Sequence, residues 1–304
     1  MMKKLLNVSF LITFLASAIF VNLSATEKQE ITKTFDKKES IDMRFVSGDC
    51  HVKRGADDKI HVHLVYRINP PDAFEPVFQE KGDKLVLKER FHDSSSGSST
   101  WTLTVPNGIE IQFKSASGDF EIADLKCEIK VSTASGDVSI ENSDGEFDVN
   151  TASGDVTIDN SKGEFDINTA SGEIDVNSGS GEYSLNTASG DIDGKEVLVE
   201  EESSFSAASG DVYIALAKSP AYDLKLSSAS GDAILNFNGN PIQGYFELTS
   251  KVRSGRIKSP FKFDNEEEFY RNDQLYVKKS FTKDKDTPII RISTASGKAE
   301  LREK

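Results

Sequence analysis

The stretch STASGDVSIENSDGEFDVNTASGDVTIDNSKGEFDINTASGEIDVNSGSGEYSLNTASGDI, residues 132–192, decides the fold. Its glycines at Gly136, Gly154, Gly172 and Gly190 recur every 18 residues, and Gly118 in KSASGDF extends the series upstream. Halfway between them stand Gly145, Gly163 and Gly181, so the unit is about nine residues: glycine, acid, apolar–polar–apolar, turn. The pairs Val138/Ile140, Phe147/Val149, Val156/Ile158, Phe165/Ile167, Ile174/Val176 and Tyr183/Leu185 are each two apart, which places each pair on one face of a short strand. The residues between them, such as Asp148 and Thr157, point to solvent. Glycine is expected to supply positive φ at a tight corner, with the alanine two residues earlier packed inside it.

Two buried side chains cannot offset the ordering of nine backbone units, so a single nonamer does not fold alone. Stacking solves this, because neighbouring coils supply backbone hydrogen bonds and a continuous core. The period predicts an all-β, single-stranded β-solenoid of the β-helix or β-roll type, with about 18 residues per coil and coils about 4.8 Å apart. Residues 18 apart then form columns: Phe147 over Phe165 over Tyr183, and Asn150 over Asn168 over Asn186, whose amides are placed to bond along the stack.

Outward from the array the spacing loosens, to Gly210 in FSAASGDVYI, Gly231 in LSSASGDAIL, a degenerate VRSGRI at Gly255 and a final ISTASGKAEL at Gly297. VSGDC around Gly48 is an outlying copy. The chain divides into a secretory signal over 1–25, an irregular β segment over 26–114 that caps the solenoid, the regular array over 115–195 and looser coils with a cap over 196–304, all one continuous unit. The acidic EEES at 200–203 and the charged DNEEEFYRND at 264–273 read as long corner loops. The signal reading rests on Lys3 and Lys4, the apolar run Leu5 to Leu23 and the small residues Ser24 and Ala25. It predicts an exported protein (periplasmic, surface-bound or secreted) with no transmembrane span once the signal is removed.

The chain of 304 residues has a net charge of −14, which argues against nucleic acid as a partner. The acids after the corner glycines, among them Asp137, Asp155, Glu173 and Asp191, stack into a column. That column either binds a cation such as Ca²⁺ with neighbouring oxygens or bonds each acid to its own corner. Cys50 and Cys127 either pair as a disulfide in an oxidising compartment or stay as two buried thiols. His51, His61 and His63 could gather round a transition metal, although a plain surface strand is the simpler account.

No G-x-S-x-G phrase occurs, and the GSG at 179–181 sits between strands rather than before a helix, so neither a hydrolase elbow nor a phosphate loop is indicated. Catalytic and cofactor-binding residues are expected to be absent. The expected role is a non-enzymatic, adhesin-like structural or interaction scaffold for an unidentified protein or glycan at the cell envelope. A self-assembling envelope element and a Ca²⁺-binding repeat protein are the alternatives, and an enzyme acting on polysaccharide ranks last.

The leader, the irregular VSGD segment, Val105-Pro106 just before the first repeat and the train of T-A-S-G-D motifs together resemble the bacterial putative-adhesin family. This is a β-strand-repeat domain of unknown function with repeated SASGD/TASGD phrases. The resemblance covers roughly 40–304 and implies a β-solenoid or β-roll. It brings no catalytic residues with it.

Overall fold

Strict apolar–polar alternation lets each strand bury one face and wet the other. In the computed structural model, which describes residues 27–304, this yields coils of one long and one short strand. The leader read over 1–25 lies outside the described residues. The long strands Lys126–Thr133, Asp144–Thr151, Lys162–Thr169 and Ser180–Thr187 pair in parallel as a broad sheet. The short strands Val138–Glu141, Val156–Asp159 and Ile174–Asn177 pair in parallel as a narrow sheet. The molecule is an all-β solenoid, and one apolar cluster between the sheets runs from Ile41 to Leu301.

The expected columns form in register. Phe147 stacks on Phe165 and Phe165 on Tyr183, with centroids 5.1 and 5.3 Å apart and rings within 10° of parallel. Each buried ring contributes about 1.5–3 kcal/mol. Of the Asn column, Asn186 Nδ2 donates to Asn168 Oδ1 at 3.2 Å, whereas Asn150 and Asn168 turn to Asp148 and Asp166 on their own strands.

The tyrosine in this ring column carries a liability. Its hydroxyl is buried without a hydrogen-bond partner, and burial pushes its pKa up. Room for it comes from Gly179, where a Cβ would stand 2.8 Å from that oxygen; the same position in the two preceding coils is Ser143 and Ser161. Deleting the orphaned group is therefore expected to help: Tyr183→Phe should raise the urea midpoint, by about 1 kcal/mol of stability. A lower midpoint would mean that the hydroxyl has a partner in solution.

The corners differ from the expectation. Ala134, Ala152 and Ala170 are exposed, and the inward residues are Thr133, Thr151 and Thr169. Their Oγ1 atoms accept from the N–H of Gly136, Gly154 and Gly172 at 2.9–3.0 Å, tying each corner to its own strand. Among the described glycines, Gly136, Gly154 and Gly172 do not have positive φ. They are glycine because a Cβ on Gly154 would lie 1.9 Å from Gly136 O of the coil before, and the same holds along the column. Positive φ falls at the other corner, on Asn142 and Asn160 with φ of 47° and 48° and on the halfway glycines Gly145 and Gly163 with φ of 153° and 140°. Asparagine tolerates that region better than most residues.

Stack order is not chain order. Gly118 packs on Gly48, so the VSGD copy is the coil directly before the array, although 70 residues separate the two strands. Beyond it lies a coil built from Lys84–Phe91 and Ser96–Val105. At the far end, Gly297 packs on Gly231. The last coil, Ile289–Thr294 and Lys298–Arg302, is inserted between Leu224–Asn236 and the strands Gly244–Lys251 and Arg256–Lys258. The motif thus marks coils with a neighbour on both sides, and the degenerate VRSGRI is the outermost copy.

Antiparallel strands close both ends. Gln29–Asp36 and Phe74–Lys81 border the N-terminal end, and Asn265–Arg271 pairs with Gln274–Lys283 at the other. Residues 264–273 are therefore mostly an edge strand, and not a corner loop as expected. Its triple glutamate and Pro76 of Phe74–Lys81 are features that discourage further strand addition.

The cysteines do not pair. Both are buried free thiols. Cys50 reaches across the core to Met43 Sδ at 3.5 Å, and Met43 belongs to the column of Phe113 and Val131. Cys127 starts the strand on which Val131 lies four residues later, too far along for a 2 Å sulfur bridge. Burial pushes both thiols up, Cys127 to about 12.

Candidate functional site: a polar groove under the C-terminal hairpin

Asp137, Asp155, Glu173 and Asp191 do form a column along the corner ridge, and their carboxylates bond neither their own corners nor a gathered ligand set. Asp137 N–H donates to Asp119 Oδ1, Asp155 N–H to Asp137 Oδ1 and Glu173 N–H to Asp155 Oδ1, at 2.8–2.9 Å. Asp119, Asp137 and Asp155 thus each cap the next coil, and Glu173 does not. The ladder resumes at Asp191, which accepts from Asp211 N–H, and continues to Asp232, which accepts from Lys298 N–H. Pairing the aspartate carboxylates with backbone donors makes the close acid stack tolerable.

The histidines are likewise dispersed. His51 bonds Glu121 at 2.6 Å and His61 bonds Asp57 at 3.0 Å, while Thr102 of the intervening strand separates His51 from His63. Among the described residues no group of three or more His, Cys, Asp or Glu is disposed to hold a metal ion.

A different place on the molecule combines chemistry that the acid column lacks. Outward positions of the broad sheet fall in register from Asn186 to Ser206, Ser227, Ser293 and Thr249, giving a floor of one amide and four hydroxyls. Ser206 and Ser227 are themselves bonded at 2.9 Å. The hairpin of Asn265–Arg271 and Gln274–Lys283 turns at Asn272 and Asp273, both left-handed, at the ridge side of this floor. Its tip brings Arg271, Asn272, Gln274 and Tyr276 over the hydroxyl column, enclosing an open groove of about 640 Å³ with Lys225 on its floor. Tyr276 is half-buried and stacked on Phe269, centroids 5.8 Å apart, so its ring is held in place.

The electrostatics of the groove run against those of the chain. Upstream on the same broad face, Glu110, Glu128, Glu146, Glu164 and Glu182 stand in one register column. Among the described residues no Asp or Glu lines the groove. A larger cleft of about 1090 Å³ lies at the C-terminal end, and two of its cations are engaged: Arg302 Nη2 and Lys258 Nζ lie 3.0 and 2.7 Å from the buried Glu300 and hold its carboxyl at about 2. The groove's Lys225 and Arg271 have no carboxylate within 4.0 Å among the described residues.

The groove was not foreseen from sequence, because residues 264–273 read as a loop. The available signal was the Asn272-Asp273 pair between two alternating runs, a hairpin turn signature.

A solenoid with this corner chemistry, capped by antiparallel strands, has relatives. The family model described as Toastrack DUF4097 matches residues 38–256, and the chain belongs to that family. Solved structures are similar to the chain at low identity. A protein from Parabacteroides distasonis named "Putative lipid binding protein" is 12% identical, with a TM-score of 0.50 over 92% of this chain and 98% of that one. A "putative adhesin" from Parabacteroides merdae is 14% identical, with a TM-score of 0.45 over 91% and 97%. A second "putative adhesin", from Bacteroides fragilis, is 14% identical, with a TM-score of 0.39 over 91% and 98%. Among curated proteins none matches. No helix of the described residues is long and apolar enough to cross a membrane.

Proposed function

We propose that this protein is an exported, non-enzymatic interaction scaffold that holds a glycan in the groove beneath its C-terminal hairpin. The observation that carries the reading is the lining itself: amides and hydroxyls in register, a braced tyrosine and no carboxylate. Saccharides are bound by such sets, hydroxyl against amide and hydroxyl, and sugar C–H face against an aromatic ring. Cleaving a glycosidic bond ordinarily needs a pair of carboxyl groups, and this groove offers none. The leader over 1–25 supports export, and the rigid parallel stack supports a role in presentation. End-to-end self-assembly is the weaker reading, because the edge strand Asn265–Arg271 carries Glu266, Glu267 and Glu268 in succession.

The test is a glycan array of neutral and acidic polysaccharides, followed by calorimetry on the hits. Tyr276→Ala and Asn186→Ala are each expected to weaken binding about tenfold, near 1.4 kcal/mol, with the melting temperature nearly unchanged. Absence of binding to every saccharide on the array would overturn the reading.

A further inference from the structure

Resting on the glycan reading above, we infer that the groove selects acidic saccharides, with Lys225 and Arg271 receiving the sugar carboxylate.

The chain has 50 Asp and Glu against 36 Lys and Arg, so a cation in the repeat array is expected to find a partner. Within the array it does: Lys126, Lys130, Lys162 and Lys195 each lie within 4.0 Å of a carboxylate. Lys225 and Arg271 do not, and both line the groove, whose described lining holds no acid, while Lys225 also borders a smaller recess with Glu182, Glu202 and Asp223. Lys225 also stands directly beside Arg291 on the adjacent strand, like charge against like charge. Glu247 stands on the other side of Arg291 in the same register, and an anion in the groove would further offset the charge of Lys225. Arg271 comes from the tip of the hairpin and Lys225 from the coil strand Leu224–Ser228, so two different parts of the broad sheet bring the cations to one groove. The guanidinium fork suits a planar carboxylate held by two parallel bonds, and the ammonium adds a point charge.

A neutral sugar would use the amide and hydroxyl column and the Tyr276 ring and leave both cations idle. A uronate uses all of them. The Glu column upstream would repel the same polyanion, so an acidic chain would be confined to the C-terminal third of the broad face.

The experiment compares uronate oligosaccharides (galacturonate, glucuronate, mannuronate and guluronate trimers) with their carboxyl-reduced counterparts, by calorimetry on the full mature chain. At least one uronate trimer should bind tenfold or more tightly than its reduced form, and more weakly as salt rises. Lys225→Gln and Arg271→Gln should each cost that trimer about tenfold while leaving the reduced form's affinity and the melting temperature unchanged. Equal binding of trimers and reduced forms, or a double variant that binds trimers as the wild type does, would overturn the acidic-sugar inference and leave the glycan reading standing. Failure of trimers and reduced forms alike, together with a blank array, would overturn both.

Discussion

Gly154→Ala is expected to cost about 4 kcal/mol, more than the ~1–3 kcal/mol usual for overpacking a core. The added methyl would stand 1.9 Å from Gly136 O and 2.6 Å from its carbonyl carbon, backbone atoms that have nowhere to move. Those atoms are held from both sides. Ser153 N–H donates to Ala134 O, and Asp155 N–H to Asp137 Oδ1, so separating two coils at the ridge breaks the corner bonds along with the packing. Because φ at Gly154 is not in the left-handed region, the penalty is one of space alone. A control separates the two effects: Gly82 has φ of +59° with no atom within 4 Å of a Cβ, so Gly82→Ala should cost only about 1 kcal/mol of backbone strain. Urea unfolding followed by circular dichroism would give both values. Equal losses for the two variants would mean that the glycine column is dispensable and the coils can slide apart cheaply. In a stack where each coil touches only its neighbours, the damage should also be local, with protease cleavage appearing first near residue 154.

The regular coils were legible because sequence period and structural period coincide: each 18-residue step is one ring, and register follows from Phe147, Phe165 and Tyr183 standing in line. The corner reading failed on a point of chemistry. Alanine's small size suggested an inward place, but the threonine before it is the residue that can both pack and bond the glycine N–H, as Thr151 does to Gly154. Stack order failed for a topological reason. Nothing local in VSGDC says that its neighbour is Gly118 and not the strands that follow it, because parallel pairing across 70 residues leaves no trace in spacing. The motif copies at Gly48 and Gly297 did hold the clue, since a coil covered on both sides needs the same glycine and its neighbours as the array does.

The groove was hidden by the same topology. Asn186, Ser227 and Ser293 are ordinary outward residues until stacking sets them side by side, and the last of them joins the row only because the final coil inserts ahead of the strand Gly244–Lys251. The acid column misled in the opposite direction. Regular spacing suggested a shared ligand, but a carboxylate in a β-stack already has a partner in the next coil's N–H. Repetition in a solenoid therefore points first to stacking. Function is better sought where the repeat breaks, as it does at Lys225 and under the hairpin at Arg271.

Glu89→Ala is expected to open the N-terminal end of the stack, at a cost of about 3–5 kcal/mol. Within the array, corner N–H groups donate to carbonyls of the coil before, as Ser135 does to Ala116 and Ser153 to Ala134. At the corner Val46–Gly48 a carboxylate takes that role. Glu89 Oε2 accepts from Val46, Ser47 and Gly48 N–H at 2.8, 3.2 and 3.1 Å, while Oε1 accepts from Ser99 Oγ and from Trp101 Nε1 at 3.0 Å. Glu89 follows Leu85 and Leu87 at a spacing of two, a charged residue on the buried phase of its strand, which is the sequence signature of such a plug. Removing it leaves five donors facing a void, each carrying the desolvation penalty of an unmade bond. Glu89→Gln keeps one acceptor oxygen but aims an amide NH₂ at other donors, so it should cost roughly half as much. Trp101 is the single tryptophan and lies against the plug, so its fluorescence reports this end alone. In Glu89→Ala its emission should shift to the red at lower urea than the circular dichroism signal of the array is lost, whereas in the wild type the two transitions lie closer together. Coincident transitions at the wild-type midpoint would show that Glu89 does not secure the first corner.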